Sequence, residues 1–199
     1  MTFAATDRVL AEVLGPRAGA ALRIKQAVLV LLGIAVLAIA AKIKVPMWPV
    51  PITMGTFAVL SIGAAYGARL GLATILGYLL VGALGFDVFA GSSAEKAGLD
   101  YMMGGTGGYL LGYVLATVAL GALAARGWDR SFLRMAAAML IGNVLIYVPG
   151  LLWLGQLYGW DKPILQWGLT PFLLGDAIKL ALAAVLLPAL WKLVGEARR

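Results

Sequence analysis

Two charged residues stand three positions apart inside the apolar run TPFLLGDAIKLALAAVLLPALW, residues 170–191. At that spacing Asp176 and Lys179 share one face of a helix. With Thr170 as N-cap and Pro171 as the first helical residue, the helix carries them to about 8 to 14 Å along its axis, inside a bilayer. Either charge at the centre of hydrocarbon costs about 2.5 to 3.5 kcal/mol on insertion scales, so both must face protein or a wet cavity. One reading is an ion pair that pins helix packing. The other is a ligand site in which Asp176 accepts from N–H groups and Lys179 donates to a carbonyl or carboxylate. A buried pair costs desolvation and is weak evidence for stability, which favours the ligand site.

The rest of the chain must hold such a pair in a membrane. Hydrophobic residues make up 62% and charged residues 13%, with a mean hydropathy of +0.95, far from the composition of a soluble domain. The apolar segments are of helical composition without sustained alternation, so the expectation is an all-α integral membrane protein and not a barrel. Cys and His are absent, which excludes disulfides, thiol nucleophiles, imidazole or thiolate zinc sites and Ser-His-Asp catalysis. No GxxxxGK[ST] occurs, so ATP is not bound through a P-loop. The net charge of +7 flanks apolar spans instead of forming one polar face, which reads as membrane topology and not as nucleic-acid binding.

Six spans are expected. Residues 1–23 form an N-terminal segment without an apolar signal core; Thr6-Asp7 caps a short interfacial helix with the stripe Val9, Leu10, Val13 and Leu14, stopped by Gly15-Pro16. A single membrane domain covers 24–195, and 196–199 form a tail. The first span runs from about Leu22 to Lys44. KVPMWPVPITMG then reads as a stiff extended loop, because Pro46, Pro49 and Pro51 forbid a regular helix, and Trp48 in it reads first as an interface anchor. A short second span to Ala68, a tight turn at Arg69 and a third span to Phe86 follow, with Gly63, Gly67 and Gly71 as a packing seam. The polar connection DVFAGSSAEKAGLD leads to the fourth span, 102–125, whose Gly104, Gly108, Gly112 and Ala116 form another seam. Its opening GGTGGY either lets a backbone come very close or forms an anion-binding helix start. In the fifth span Asn143 and Tyr147 share a face, for an interhelical hydrogen bond or a ligand contact. Basic residues crowd the termini and the turns at Arg69 and 126–134, so the positive-inside rule places both termini in the cytoplasm. Asp176 then lies in the outer half of the last helix, facing outward for capture of an external solute.

Together PVPIT (49–53), VFAGS (88–92), TGGYLLGY (106–113), GNVLIYVPGLLWL (142–154) and PFLLGDAIK (171–179) resemble the BioY family, the substrate-binding S components of energy-coupling-factor (ECF) biotin transporters. The resemblance covers about residues 25–195. It implies the six-helix ECF S-component fold in the plasma (inner) membrane, biotin as ligand, no cofactor and no enzymatic activity. It also implies two kinds of partner, a transmembrane coupling (T) subunit and a pair of cytoplasmic ATPases. Asp176 and Lys179 match the family's GDxxK ligand positions and complement a ureido ring. Thr53, Asn143 and Tyr147 carry over from matching motif positions. The ligand's carboxylate goes to the Gly-rich start at Thr106 to Tyr109 or to Lys179, and Phe89, Tyr109, Tyr147 and Trp153 are candidates for the walls around its apolar parts. The resemblance further implies loops that close over the occupied site and a subunit that rotates to release ligand inside. Gly55 and Gly105 depart from the Gln and Pro common in the family, and the first span offers Ala35, Ala38 and Ala41 in place of an Ala-x-x-x-Ala docking seam. Alternatives are an S component for another vitamin and a stand-alone proton-coupled carrier with Asp176 as relay.

Overall fold

A computed structural model of the chain describes residues 8–91 and 97–196. The Thr6-Asp7 cap, Lys96, Arg198 and Arg199 lie outside the described residues. Ten elements of regular structure matter here: α1 (Leu10–Val13), α2 (Gly19–Lys42), β1 (Lys44–Val45), β2 (Ile52–Thr53), α3 (Gly55–Ala83), α4 (Gly98–Met102), α5 (Gly107–Ala125), α6 (Phe132–Tyr158), α7 (Ile164–Gly168) and α8 (Leu173–Glu196). Five stretches among the described residues are long and apolar enough to cross a membrane: Gly19–Lys42, Gly55–Ala83, Gly107–Ala125, Phe132–Tyr158 and Ile164–Val194. The helical expectation therefore stands, with its second and third spans merged into α3.

The two spans stay distinct within α3. Gly67 breaks α3 with φ 79° and ψ 171°, a conformation open essentially to glycine alone. Beyond it the chain turns back on itself. A Cβ placed on Gly71 would lie 3.5 Å from the Gly63 Cα, whereas eight residues of straight helix separate two residues by about 12 Å. The reversal thus falls at Gly67, two residues before the expected Arg69, and the glycine seam lets the two halves and α5 close up. A Cβ on Gly63 would come within 2.9 Å of the Thr117 carbonyl oxygen on α5. The N-terminal stripe docks onto this reversal. Val9, Leu10 and Val13 are buried, with Val9 against Gly67, and only Leu14 is exposed.

The 19-residue helix α5 packs against both α3 and α6, and Gly108 and Gly112 bring its backbone against Pro149 and Ile146 of α6. Two buried clusters result. One joins α5, α6 and α8 around Leu120, Met139 and Ile146; the other joins α2, both halves of α3 and the following loop around Leu37, Val59, Ile75 and Phe89. Tyr113 packs against both.

At one end of the helices the loop after α2 is not merely extended. Its two ends pair as an antiparallel ribbon, Lys44 opposite Thr53 and Val45 opposite Ile52, so the proline-rich segment between them folds over as a hairpin with a cis Trp48–Pro49 peptide. Trp48 is 65% exposed, yet its ring meets Tyr158 and Trp167 edge-on at 5.4 and 5.0 Å, tying this hairpin to the segment before α8. Lys42 reaches Asp87 at 2.5 Å and the Phe89 carbonyl at 2.8 Å, and Lys44 donates to the Ala90 carbonyl. These bonds hold the turn-and-bend segment that presents Phe89. At the other end Trp191 donates from Nε1 to Asp129 at 2.5 Å, and Arg130 stacks 4.4 Å over the Trp191 ring. Burial pushes the Asp129 carboxyl up, and the bond from Trp191 partly offsets this.

Candidate binding site

The start of α8 departs from its sequence reading. Thr170 does not cap the helix; its hydroxyl donates to the Leu165 carbonyl at 3.2 Å, and Thr170–Phe172 form a 3-10 turn before α8 begins at Leu173. Asp176 and Lys179 consequently fall in the first two turns of α8, facing the α3 start and α6. They are 4% and 7% exposed. Lys179 Nζ donates to Asp176 Oδ1 at 2.8 Å and to Thr56 Oγ1 at 3.0 Å. Thr56 donates to the same carboxylate oxygen at 3.3 Å, and the Tyr147 hydroxyl donates to Oδ2. Three helices thus meet in one closed polar network.

This network ends on a cavity of about 50 Å³. Lys179, Thr56 and Tyr147 line it, while Asp176 is set behind them with its oxygens turned to all three. An ammonium has three N–H donors, and two are used here, so the third is available to the cavity. Acceptor lone pairs remain on the Thr56 and Tyr147 oxygens. The site can therefore donate to a carbonyl and accept from N–H groups at adjacent points, with a buried negative charge polarising every member.

Aromatic rings form the other walls. Tyr109, Tyr147 and Phe172 lie with centroids 6.1 to 6.5 Å apart on one side. On the other, Phe89 stacks on Tyr101 at 5.1 Å and meets Tyr78 edge-on at 5.3 Å. Tyr109 is fixed by a 2.8 Å bond to the Gly168 carbonyl. Gly55 leaves room for Tyr113, since a Cβ there would come within 3.0 Å of the Tyr113 hydroxyl. Such walls suit an apolar ring and chain beyond a small polar head.

The sequence pattern of the BioY family matches residues 10–196. The chain belongs to the BioY family. It is 35% identical over 165 residues to the probable biotin transporter BioY of Pyrococcus horikoshii, covering 83% of this chain and 95% of that relative. To the biotin transporter BioY of Thermotoga maritima it is 33% identical over 162 residues, covering 81% and 93%. Its backbone superposes with a TM-score of 0.71 on a crystal structure described as the S-component for biotin from an ECF-type ABC transporter, over 88% of this chain and 95% of the other. At 21% identity that likeness speaks for the fold.

Among the BioY-motif residues singled out in the sequence, Lys179, Tyr147, Thr53, Phe89, Thr106 and Tyr109 line the cavity, and Asp176 backs it. Asn143 and Trp153 do not line it. Asn143 is buried one turn before Tyr147 on α6. Trp153 donates from Nε1 to the Gly104 carbonyl at 2.9 Å and packs on Gly107 and Gly108, so it pins the start of α5. The sequence reading missed Thr56, Tyr113, Tyr78, Tyr101 and Phe172. A signal existed for Tyr113, which follows Tyr109 at i, i+4 on the same face.

Proposed function

We propose that this chain is the biotin-binding membrane subunit of an ATP-driven ECF vitamin importer. The observation that carries the reading is the buried Asp176–Lys179–Thr56–Tyr147 network at the end of an aromatic-walled cavity in a membrane-embedded core. A ureido ring offers one carbonyl and two N–H groups. Its carbonyl takes the free Lys179 N–H, and its N–H groups meet the acceptor lone pairs of Thr56 and Tyr147, which Asp176 polarises from behind. The thiophane ring and valeryl chain lie between the Tyr109–Phe172 and Phe89–Tyr101 walls. Membership of a family whose relatives are named biotin transporters supports the choice of ligand.

The two halves of α3 act as separate short spans joined at Gly67, which gives six spans and puts both termini on one side. Arg8, Arg17, Arg23, Lys25, Arg69, Arg126, Arg130, Arg134 and Lys192 belong to that side, against Lys42, Lys44 and Lys162 opposite, so the termini are cytoplasmic in a multi-pass plasma membrane protein. The hairpin and Phe89 segment then cover the site from outside. A coupling subunit and an ATPase pair supply the energy, and this chain does no catalysis.

Uptake of labelled biotin by cells expressing the chain, with and without a coupling subunit and ATPases, tests the assignment. Accumulation that requires active ATPases is expected. Accumulation without them that collapses with the proton gradient would instead make Asp176 the relay of a carrier.

A further inference from the structure

Far from the ligand cavity, a cleft of about 700 Å³ opens between α1, the start of α2, the reversal at Gly67 and the end of α5. Its walls carry four cations, Arg8, Arg17, Lys25 and Arg69, and one acid, Glu12. The carboxylate of that acid accepts from the Val9 N–H at 3.4 Å. Lys25 is held in place: its ammonium donates to the Ala11 carbonyl at 3.0 Å and the Leu14 carbonyl at 2.9 Å, which leaves one N–H free. The guanidinium groups of Arg8, Arg17 and Arg69 are exposed and have no acceptor among the described residues. Four cations against one acid leave this concavity with a net positive charge among the described residues, which an anion relieves, and a guanidinium fork fits two phosphate oxygens at once.

The surroundings distinguish a lipid from a free anion. Leu22, Leu70 and Ala73 give the cleft an apolar flank. From the cleft-lining Arg69 and Ala73 the outer face of α3 runs on at helical spacing with Leu76 and Leu80, which are 49% and 60% exposed. A basic pocket at the base of membrane helices, continuous with an apolar outer face, matches an anionic amphiphile. We propose that this cleft holds the headgroup of an anionic phospholipid, its phosphate among Arg17, Lys25 and Arg69 and its chains along the exposed face of the second half of α3. The lipid braces α1 and α2 against the glycine reversal, whatever ligand occupies the far cavity.

The test is native mass spectrometry of the full chain released from nanodiscs containing equal phosphatidylglycerol and phosphatidylcholine. Phosphatidylglycerol is expected to be retained at least about fivefold over phosphatidylcholine. Arg17→Gln with Arg69→Gln is expected to abolish that preference. Arg23→Gln with Lys192→Gln, which removes the same charge from the same end but outside the cleft, keeps it. Equal retention of the two lipids, equal loss in both double variants, or displacement of the lipid by inorganic phosphate overturns the proposal. Should the first double variant not fold, titration of wild type decides. Phosphatidylglycerol is expected to raise its melting temperature and inorganic phosphate to leave it unchanged; equal effects refute a lipid site.

Discussion

Replacing Lys179 with Met leaves the Asp176 carboxylate buried without its counter-ion. Removing one half of a buried pair costs about 3 to 5 kcal/mol, so Lys179→Met is expected to lower the melting temperature in detergent markedly. The double variant Asp176→Asn, Lys179→Met keeps no buried charge and is expected to recover most of that loss without recovering ligand binding. A double variant that binds as wild type does would return the pair to a packing role. Thr56 separates shape from hydrogen bonding: Thr56→Val is expected to weaken binding about tenfold or more and Thr56→Ser to restore it, measured by equilibrium dialysis. Asp176 and Lys179 were legible because two charges in an apolar run of membrane-spanning length demand an explanation. Thr56 was not, because a threonine in the first turn of a helix is ordinary and its partners stand on α8, far along the chain. Nor does spacing reveal depth. The i, i+3 pattern gives a shared face, and only the fold sets Asp176 behind Lys179.

Among the elements, α3 depends most on one residue. With φ 79° and ψ 171° and Val9 packed beside it, Gly67 has no room or conformation for a side chain, so Gly67→Ala is expected to cost about 1 to 3 kcal/mol, read as a fall in melting temperature. An unchanged melting temperature would contradict a reversal built on this glycine. The sequence showed that chain direction changes here, through the short apolar segments and Arg69. It could not show which glycine turns, since Gly63, Gly67 and Gly71 look alike as letters and differ only in backbone angles. The proline-rich loop is similar. Prolines at 46, 49 and 51 fix local conformation and rule out helix, but the pairing of Lys44 with Thr53 is a relation between the loop's ends. For the N-terminal helix the apolar stripe is legible in the sequence, but the surface it meets, the α3 reversal, is a nonlocal relation.

For the whole molecule the proposed sidedness has a clean test, because the natural chain contains no cysteine. A single cysteine at Lys162 is expected to react with an impermeant maleimide in intact cells, and one at Lys192 only after the membrane is opened; the opposite pattern contradicts cytoplasmic termini. Composition sufficed for the membrane class and the helical build, because the bilayer leaves few alternatives to satisfied helices. The site was legible as a place, at the GDxxK segment, and less so as a shape, since its walls come from α3, α5 and α6 together with the loops that cover them. The most direct measurement is a binding isotherm for labelled biotin on the detergent-purified chain alone. Saturable binding displaced by unlabelled biotin but not by riboflavin is predicted, with affinity lower by about a hundredfold or more in Lys179→Met. No saturable binding by wild type, displacement by riboflavin, or equal affinity in the variant would contradict it.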